Sequence, residues 1–416
     1  MGSVAVGKIG KYNRTLCAPP DKSISVRAVI LCSYSSGRSI VKNISRCDDV
    51  MSAVACMESL GASVEFRGDD AVIVGAPFKS AKLNCGNSGT TARLLIGLLS
   101  GLSGVFELDG DESLKRRPMA RVIEPLKIMG AKISDTDGKL PVTVTGAPLG
   151  GIKFFSPVPG AQVKSAIMLA ALGGTATVEI TEKIKTRDHT EIMLKSLNGS
   201  VSVNENTVTV SPSVLFGSEI YVPGDLSAAL YPICLALISR GKCTVRGVGL
   251  NPTRLAAMEL LKKIGAKIEF TDVVNADEPY GDITAEYVGP LRPFSLDGDD
   301  VARMIDEVPV LCSLACFIDG KCVITGASEL RKKESDRISA TVSALSALGA
   351  DIEENEDGIT VRGGKALKFG TVKAYGDHRI AMSAAVAAAA GEGGIIEDGD
   401  VVSISYPNFF EEVLGV

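Results

Sequence analysis

A chain of 416 residues is too long for one ordinary hydrophobic core, so two domains are expected. Its 44 Lys and Arg against 49 Asp and Glu leave a formal net charge of -5. That excludes a global attraction to nucleic acid or an anionic membrane, so any cationic function must be local.

The longest small-apolar run, "IAMSAAVAAAAG", is about a dozen residues and too short to cross a bilayer core of ~30 Å. The opening "MGSVAVGKIGKYNRT" lacks the basic start and apolar run of a secretory signal. The 10 cysteines show no CxxC spacing, and the closest pair, Cys312 and Cys316, is one helical turn apart. Reduced core thiols in a cytoplasmic protein are therefore expected, with no metal.

Along the chain one phrase recurs: "MESLGASVEF", "LKIMGAKISD", "LKSLNGSVSV", "LKKIGAKIEF", "LSALGADIEE" and finally "EEVLGV". Each reads as a helix stopped by a left-handed cap, at Gly61, Gly130, Asn198, Gly265, Gly349 and Gly415, and all but the last continue into an alternating strand. Ahead of each cap stand a helix of small apolar residues and then a strand such as "GVFELDG" or "KCVITGA". The chain thus reads as six copies of one mixed α/β unit. The longer fourth-to-fifth interval is assigned to an insertion around "NADEPYGDITAEYVGPLRP". The last copy ends at its cap, so its missing strand is expected from the N-terminal "VAVGKIGKYNRTL". Three units per domain would put crossovers near Pro20–Lys22 and Gly224–Asp225. Residues 1–20 and 225–416 would then form one domain, 21–224 the inserted one, with the active site expected in the cleft between them.

The first helix of each copy opens on a polar cluster: "DKSISVR", "GNSGTTAR", "GAQVKSA", "GDLSAA", "IDEVP" and "GDHRIAM". Helix N-termini attract anions, yet several of these bring cations: Lys22 and Arg27, Arg93, Lys164, Arg379. Cations there oppose the helix dipole and make sense with an anion between. Second helices repeat the theme with Arg116 and Arg117 before Pro118, a suitable first-turn residue, then Arg187, Arg254, and Lys333 and Arg337 in "ELRKKESDRI". Each cluster alone is more often a solvated face or a cap; the repetition favours convergence on a substrate with several phosphates or carboxylates. No Walker motif, GxGxxG after a strand or GxSxG elbow occurs, and His189 and His378 lack metal-like spacing. Asp48–Asp49 reads as a helix cap, and His189 as a capping or packing residue. The remaining Lys, Arg, Glu, Asp and His suit general acid–base transfer on phosphorylated small molecules.

"PPDKSISVRA", "GNSGTTARLL", "LKRRPM", "AQVKSAIMLA", "MIDEVP", "ELRKKESDRI", "YGDHRIAMS" and "SYPNFF" stand in one order from about residue 8 to 413. In these motifs the chain resembles the 5-enolpyruvylshikimate-3-phosphate synthases of the enolpyruvyl transferase family. The resemblance implies a two-domain inside-out α/β barrel with six βαβαββ units, three per domain. It implies attack of the 5-hydroxyl of shikimate 3-phosphate on C2 of phosphoenolpyruvate, protonation at C3, and loss of phosphate, without a cofactor. It further implies a monomer acting on these two small molecules, with no nucleic acid or membrane partner, and a target of glyphosate.

Carried over by motif, Lys22 lies between the substrates and is catalytic with Asp306, Glu334 and His378. Shikimate 3-phosphate would meet Ser23, Arg27, Gln162, Arg187, Asp306 and Lys333. Phosphoenolpyruvate would meet Asn87, Gly89, Arg117, Arg337 and Arg379, with Thr90 and Arg93 shaping that loop. Asp306 would accept the hydroxyl proton and Glu334 handle the proton at C3. The chain departs from the family at Val26, at Gly160–Ala161 where a Ser is usual, and at Ile404 where some members carry Lys. The missing Ser contact could come from a backbone N–H or from Ser165. Two other readings are the sister transferase acting on UDP-N-acetylglucosamine and a non-catalytic anion-binding repeat protein. The sister family has a reactive Cys where this loop carries Glu112.

Overall fold

The structure, a computed structural model, describes residues 2–416. The recurrent sequence unit becomes a recurrent sheet. A short strand lies parallel to a second, and a hairpin adds two antiparallel strands beyond it. The second copy shows the pattern whole: Ala81–Asn84, Gly104–Asp109, Lys139–Gly146 and Lys132–Thr136 lie in that order. The parallel pair requires a crossover, and the helix Gly89–Ser100 provides it.

Five sheets share this order and the sixth has three strands. The chain divides into two compact units, one formed by residues 20–222 and the other by residues up to 19 together with 223–416. In the inserted unit the first sheet is completed by its last strand, Glu219–Tyr221, parallel to Arg38–Lys42. The N-terminal stretch supplies two strands rather than the one expected. Val4–Val6 pairs antiparallel with Gly394–Glu397 and fills the gap in the sixth sheet, while Asn13–Cys17 lies parallel to Lys242–Gly249 in the fourth.

Two classes of helix follow from two kinds of sequence. The first helix of each copy is apolar on all sides and buried along its length, as in Leu226–Ile238 and His378–Ala390. Small residues allow these helices to approach closely. A Cβ on Gly97 would stand 2.1 Å from the carbonyl oxygen of Ala166 on the helix Ala161–Leu172. The second helices are amphipathic where they cover a sheet, as in Ala256–Ile264. All six expected stops have positive φ, between 61° at Asn198 and 118° at Gly61, the region where a Cβ is costly. Each unit has its own hydrophobic core around its first helices.

Two expectations need correction. Most of the supposed insertion is regular, because Tyr280–Glu286 pairs with both Lys242–Gly249 and Lys267–Val274. The extra length lies in this long hairpin and in an added helix, Gly298–Arg303, ahead of Val308–Ala315. Nor does Pro118 open a helix: Glu112–Arg116 is a short helix of its own, Arg117 is extended, and the longer helix begins at Ala120.

Candidate active site

In the inserted unit the helix Lys22–Tyr34 starts at Asp21, whose carboxylate accepts from the Ile24 N–H at 2.8 Å. That start buries the Lys22 side chain against Asp49, Nζ to Oδ2 at 2.7 Å. Asp49 is thus the counter-charge of Lys22, and the N-cap of the helix Asp48–Leu60 is Cys47, contrary to the capping role expected for the acidic pair. One turn after Lys22, Arg27 donates to Thr190 Oγ1 at 2.8 Å, to the Ser23 carbonyl at 3.0 Å and to Ser165 Oγ at 3.3 Å. The Ser165 hydroxyl is buried in this contact and lies 2.7 Å from that of Thr190.

The loop before Gly89–Ser100 makes a second cluster. Arg117 donates to the Asn87 carbonyl at 3.1 Å and to its Oδ1 at 2.5 Å, and Asn87 in turn donates to Asp111 at 2.6 Å. Arg93 donates to Gln162 Oε1 at 2.7 Å and to the Pro118 carbonyl at 3.1 Å; the Gln162 amide donates to Thr90 Oγ1 at 2.9 Å. Gly89 sits between the two guanidinium groups. A Cβ there would stand 2.8 Å from Arg93 Nη1 and 3.3 Å from Arg117 Nη1. The neighbouring arginines of "KRRP" separate, with Arg117 buried and Arg116 exposed. Arg187 lies half-buried in the segment before the helix His189–Ser196, and His189 is buried at its first turn.

The other unit carries a charge cluster centred on Arg337, the first residue of the helix Arg337–Ala347 and 1% exposed. Its Nε is 2.8 Å from Asp377 Oδ2, its Nη1 is 3.1 Å from Asp306 Oδ1, and its Nη2 is 2.6 Å from Glu334 Oε2. Burial opposes this guanidinium's charge, but Asp377, Glu334 and Asp306 more than offset that and raise its pKa. Asp306 is also 3.5 Å from Lys333 Nζ and 3.7 Å from Arg379 Nη2, while its carbonyl accepts from Arg379 Nη1 at 3.2 Å. Three carboxylates and three cations therefore balance in formal charge. Asp377, fully buried, is the N-cap of His378–Ala390, and the next residue, His378, is itself buried.

Two further helix-start cations, Lys164 and Arg254, are also paired with buried carboxylates. Lys164 is 2.7 Å from Glu182 and 2.8 Å from Glu191, all three buried. Arg254 donates to Ser227 Oγ at 2.7 Å and lies 3.5 Å from Glu307 and 3.7 Å from Asp225. Long side chains at a helix start reach inward as readily as outward, and a buried carboxylate decides which. The partners Asp377 and Glu307 were not singled out from the sequence, and Asp49 only as part of a helix cap. Asp377 was legible as an N-cap, but its hold on Arg337 joins residues 40 positions apart.

The sequence profile of EPSP synthase (3-phosphoshikimate 1-carboxyvinyltransferase) matches residues 6–413. A protein named 3-phosphoshikimate 1-carboxyvinyltransferase from Pelotomaculum thermopropionicum is 43% identical, over 97% of this chain and 96% of its own length. One of the same name from Bacillus pumilus is 40% identical over 98% of each. Among solved structures, EPSP synthase from Acinetobacter baumannii superposes with a TM-score of 0.85 at 33% identity, covering 100% of this chain and 99% of its own. The enolpyruvyl transferase NikO from Streptomyces tendae shares the fold, with a TM-score of 0.82 at 17% identity and coverage of 99% and 96%. The inside-out α/β architecture expected from the motifs is that of these neighbours. This chain belongs to the EPSP synthase family.

Proposed function

We propose that the chain transfers the enolpyruvyl group of phosphoenolpyruvate to the 5-hydroxyl of shikimate 3-phosphate and releases phosphate. The observation that supports this most directly is the sharing of Arg337 by Asp306 and Glu334. An addition–elimination at C2 requires one group to take a proton from the attacking hydroxyl and another to exchange one at C3. Two carboxylates on adjacent edges of one guanidinium meet that need. Asp306 serves the hydroxyl and Glu334 the methylene carbon, with His378 assisting.

Arg117, Arg337 and Arg379 bind the carboxylate and phosphate of phosphoenolpyruvate through planar forks. The substrate competes with Asp306 and Glu334 for Arg337, so anion binding frees those carboxylates for proton transfer. Lys22 serves both substrates, and Asn87 and Gly89 hold the loop open for phosphoenolpyruvate. Ser23, Arg27, Gln162, Arg187 and Lys333 bind shikimate 3-phosphate. Ser165, engaged with Arg27 and Thr190, supports Arg27 rather than replacing the missing hydroxyl.

Phosphate release from phosphoenolpyruvate tests the proposal, with shikimate 3-phosphate or UDP-N-acetylglucosamine as acceptor. Release with shikimate 3-phosphate alone is expected. Release with the sugar nucleotide alone would reassign the acceptor, and release with neither would leave only an anion-binding protein.

A further inference from the structure

Lys164 lies on the helix Ala161–Leu172, and its ammonium is almost wholly buried between two carboxylates. The two carboxylates bracket one segment. Glu182 ends the strand Val178–Glu182, and Glu191 lies in the first turn of His189–Ser196. Between them run the residues that carry Arg187. Glu182 also grips this segment itself, accepting at Oε2 from the Thr186 N–H at 3.3 Å and at Oε1 from the Thr186 hydroxyl. The two helices then pair in step: Lys164 meets Glu191, and the adjacent Ser165 meets Thr190 at 2.7 Å. Thr190 and Ser165 are the hydroxyls that receive Arg27.

A buried ammonium with two carboxylates is a poor device for stability alone, because desolvation offsets most of the attraction and apolar residues could replace it. It does impose geometry, since the charges tolerate little displacement in a low-dielectric interior. The Lys164 ammonium is engaged by both glutamates within 2.8 Å.

We infer that the Lys164–Glu182–Glu191 triad is a positioning device for the shikimate 3-phosphate site. It fixes both ends of the segment 182–191, so that Arg187 and the Thr190–Ser165 seat of Arg27 are set before the substrate arrives. The inference rests on the proposed assignment of Arg27 and Arg187 to that substrate.

Steady-state kinetics on the full chain test it. Glu182→Gln keeps the side-chain shape and the Lys164–Glu191 pair while weakening the grip on Lys164 and Thr186. It is expected to raise KM for shikimate 3-phosphate roughly tenfold, the scale of a small misplacement of binding groups. Values of kcat and KM for phosphoenolpyruvate should change by less than about twofold, since their groups lie elsewhere. Lys164→Met should act in the same direction and more strongly; if it fails to fold, Glu182→Gln still decides. Arg187→Ala is the reference. If it raises KM for shikimate 3-phosphate while Glu182→Gln lowers only the melting temperature, the triad is structural and the inference is overturned alone. If Arg187→Ala leaves that KM unchanged, the substrate assignment falls and the inference with it.

Discussion

The guanidinium of Arg337 and the carboxylate of Asp377 form a two-pronged ion pair, Nε to Oδ2 at 2.8 Å and Nη2 to Oδ1 at 3.3 Å. Asp377 also accepts the Arg379 N–H at 3.0 Å, so one buried carboxylate caps a helix and orients the arginine of another. The free edge of Arg337 is thereby turned to Asp306 and Glu334.

Removing that arginine should impair both binding and stability. Arg337→Ala is expected to raise KM for phosphoenolpyruvate at least about tenfold, because a charged fork is lost. It also leaves Asp377 buried without its main counter-charge, a change of the kind that costs about 3–5 kcal/mol. Kinetics and thermal melting report the two effects separately. An unchanged KM with a lowered melting temperature would restrict Arg337 to a structural role.

Gly89→Ala places a methyl against the heads of Arg93 and Arg117. Arg93 is held by Gln162 and Pro118 and Arg117 by Asn87, so neither head can yield without giving up a hydrogen bond. A drop of roughly 10- to 100-fold in kcat/KM for phosphoenolpyruvate is expected from such a misplacement. The parent enzyme, with glycine at this position, should be inhibited competitively by glyphosate, an anionic mimic of that substrate, and the variant much less so. Equal inhibition of the two would contradict the placement of this loop.

Burial lifts the Glu191 carboxyl above its ordinary value of 4.5, against the attraction of Lys164. The folded chain thus retains a proton that the unfolded chain releases. This contribution to stability is complete below about pH 4.5 and is lost as pH rises through the folded value. Glu191→Gln removes the titration, so its melting temperature relative to the parent should climb as pH rises above about 4.5. A difference that stays constant across that range would contradict it.

Nine of the cysteines are buried and Cys17 is exposed. Burial pushes the Cys32 thiol up to about 11, so it stays protonated and unreactive near neutrality. An aromatic disulfide reagent should titrate one thiol in the native chain and ten after denaturation. Rapid native reaction of several thiols would mean that the cores open readily.

The sixfold repeat, the six left-handed stops and the need for an N-terminal strand were all legible in the residues. They depend on local physics: a helix ends where Gly or Asn takes positive φ, and a strand follows where polarity alternates. The eight ordered motifs also located most of the cations of these clusters, among them Lys22, Arg27, Arg93, Arg117, Arg337 and Arg379. What they did not reveal is which cation answers which anion. Lys22 and Asp49, Arg337 and Asp377, and Lys164 and its two glutamates are paired across different elements. Lys164, Arg254 and Lys22 looked equivalent in their helix-start settings, and tertiary packing gave each a different buried carboxylate partner. The repeating unit, the caps and the family could be read from the residues alone, because these depend on neighbours along the chain or on a fixed order of motifs. Which charge pairs with which was settled by the fold alone, because ion pairing depends on distances that only packing sets.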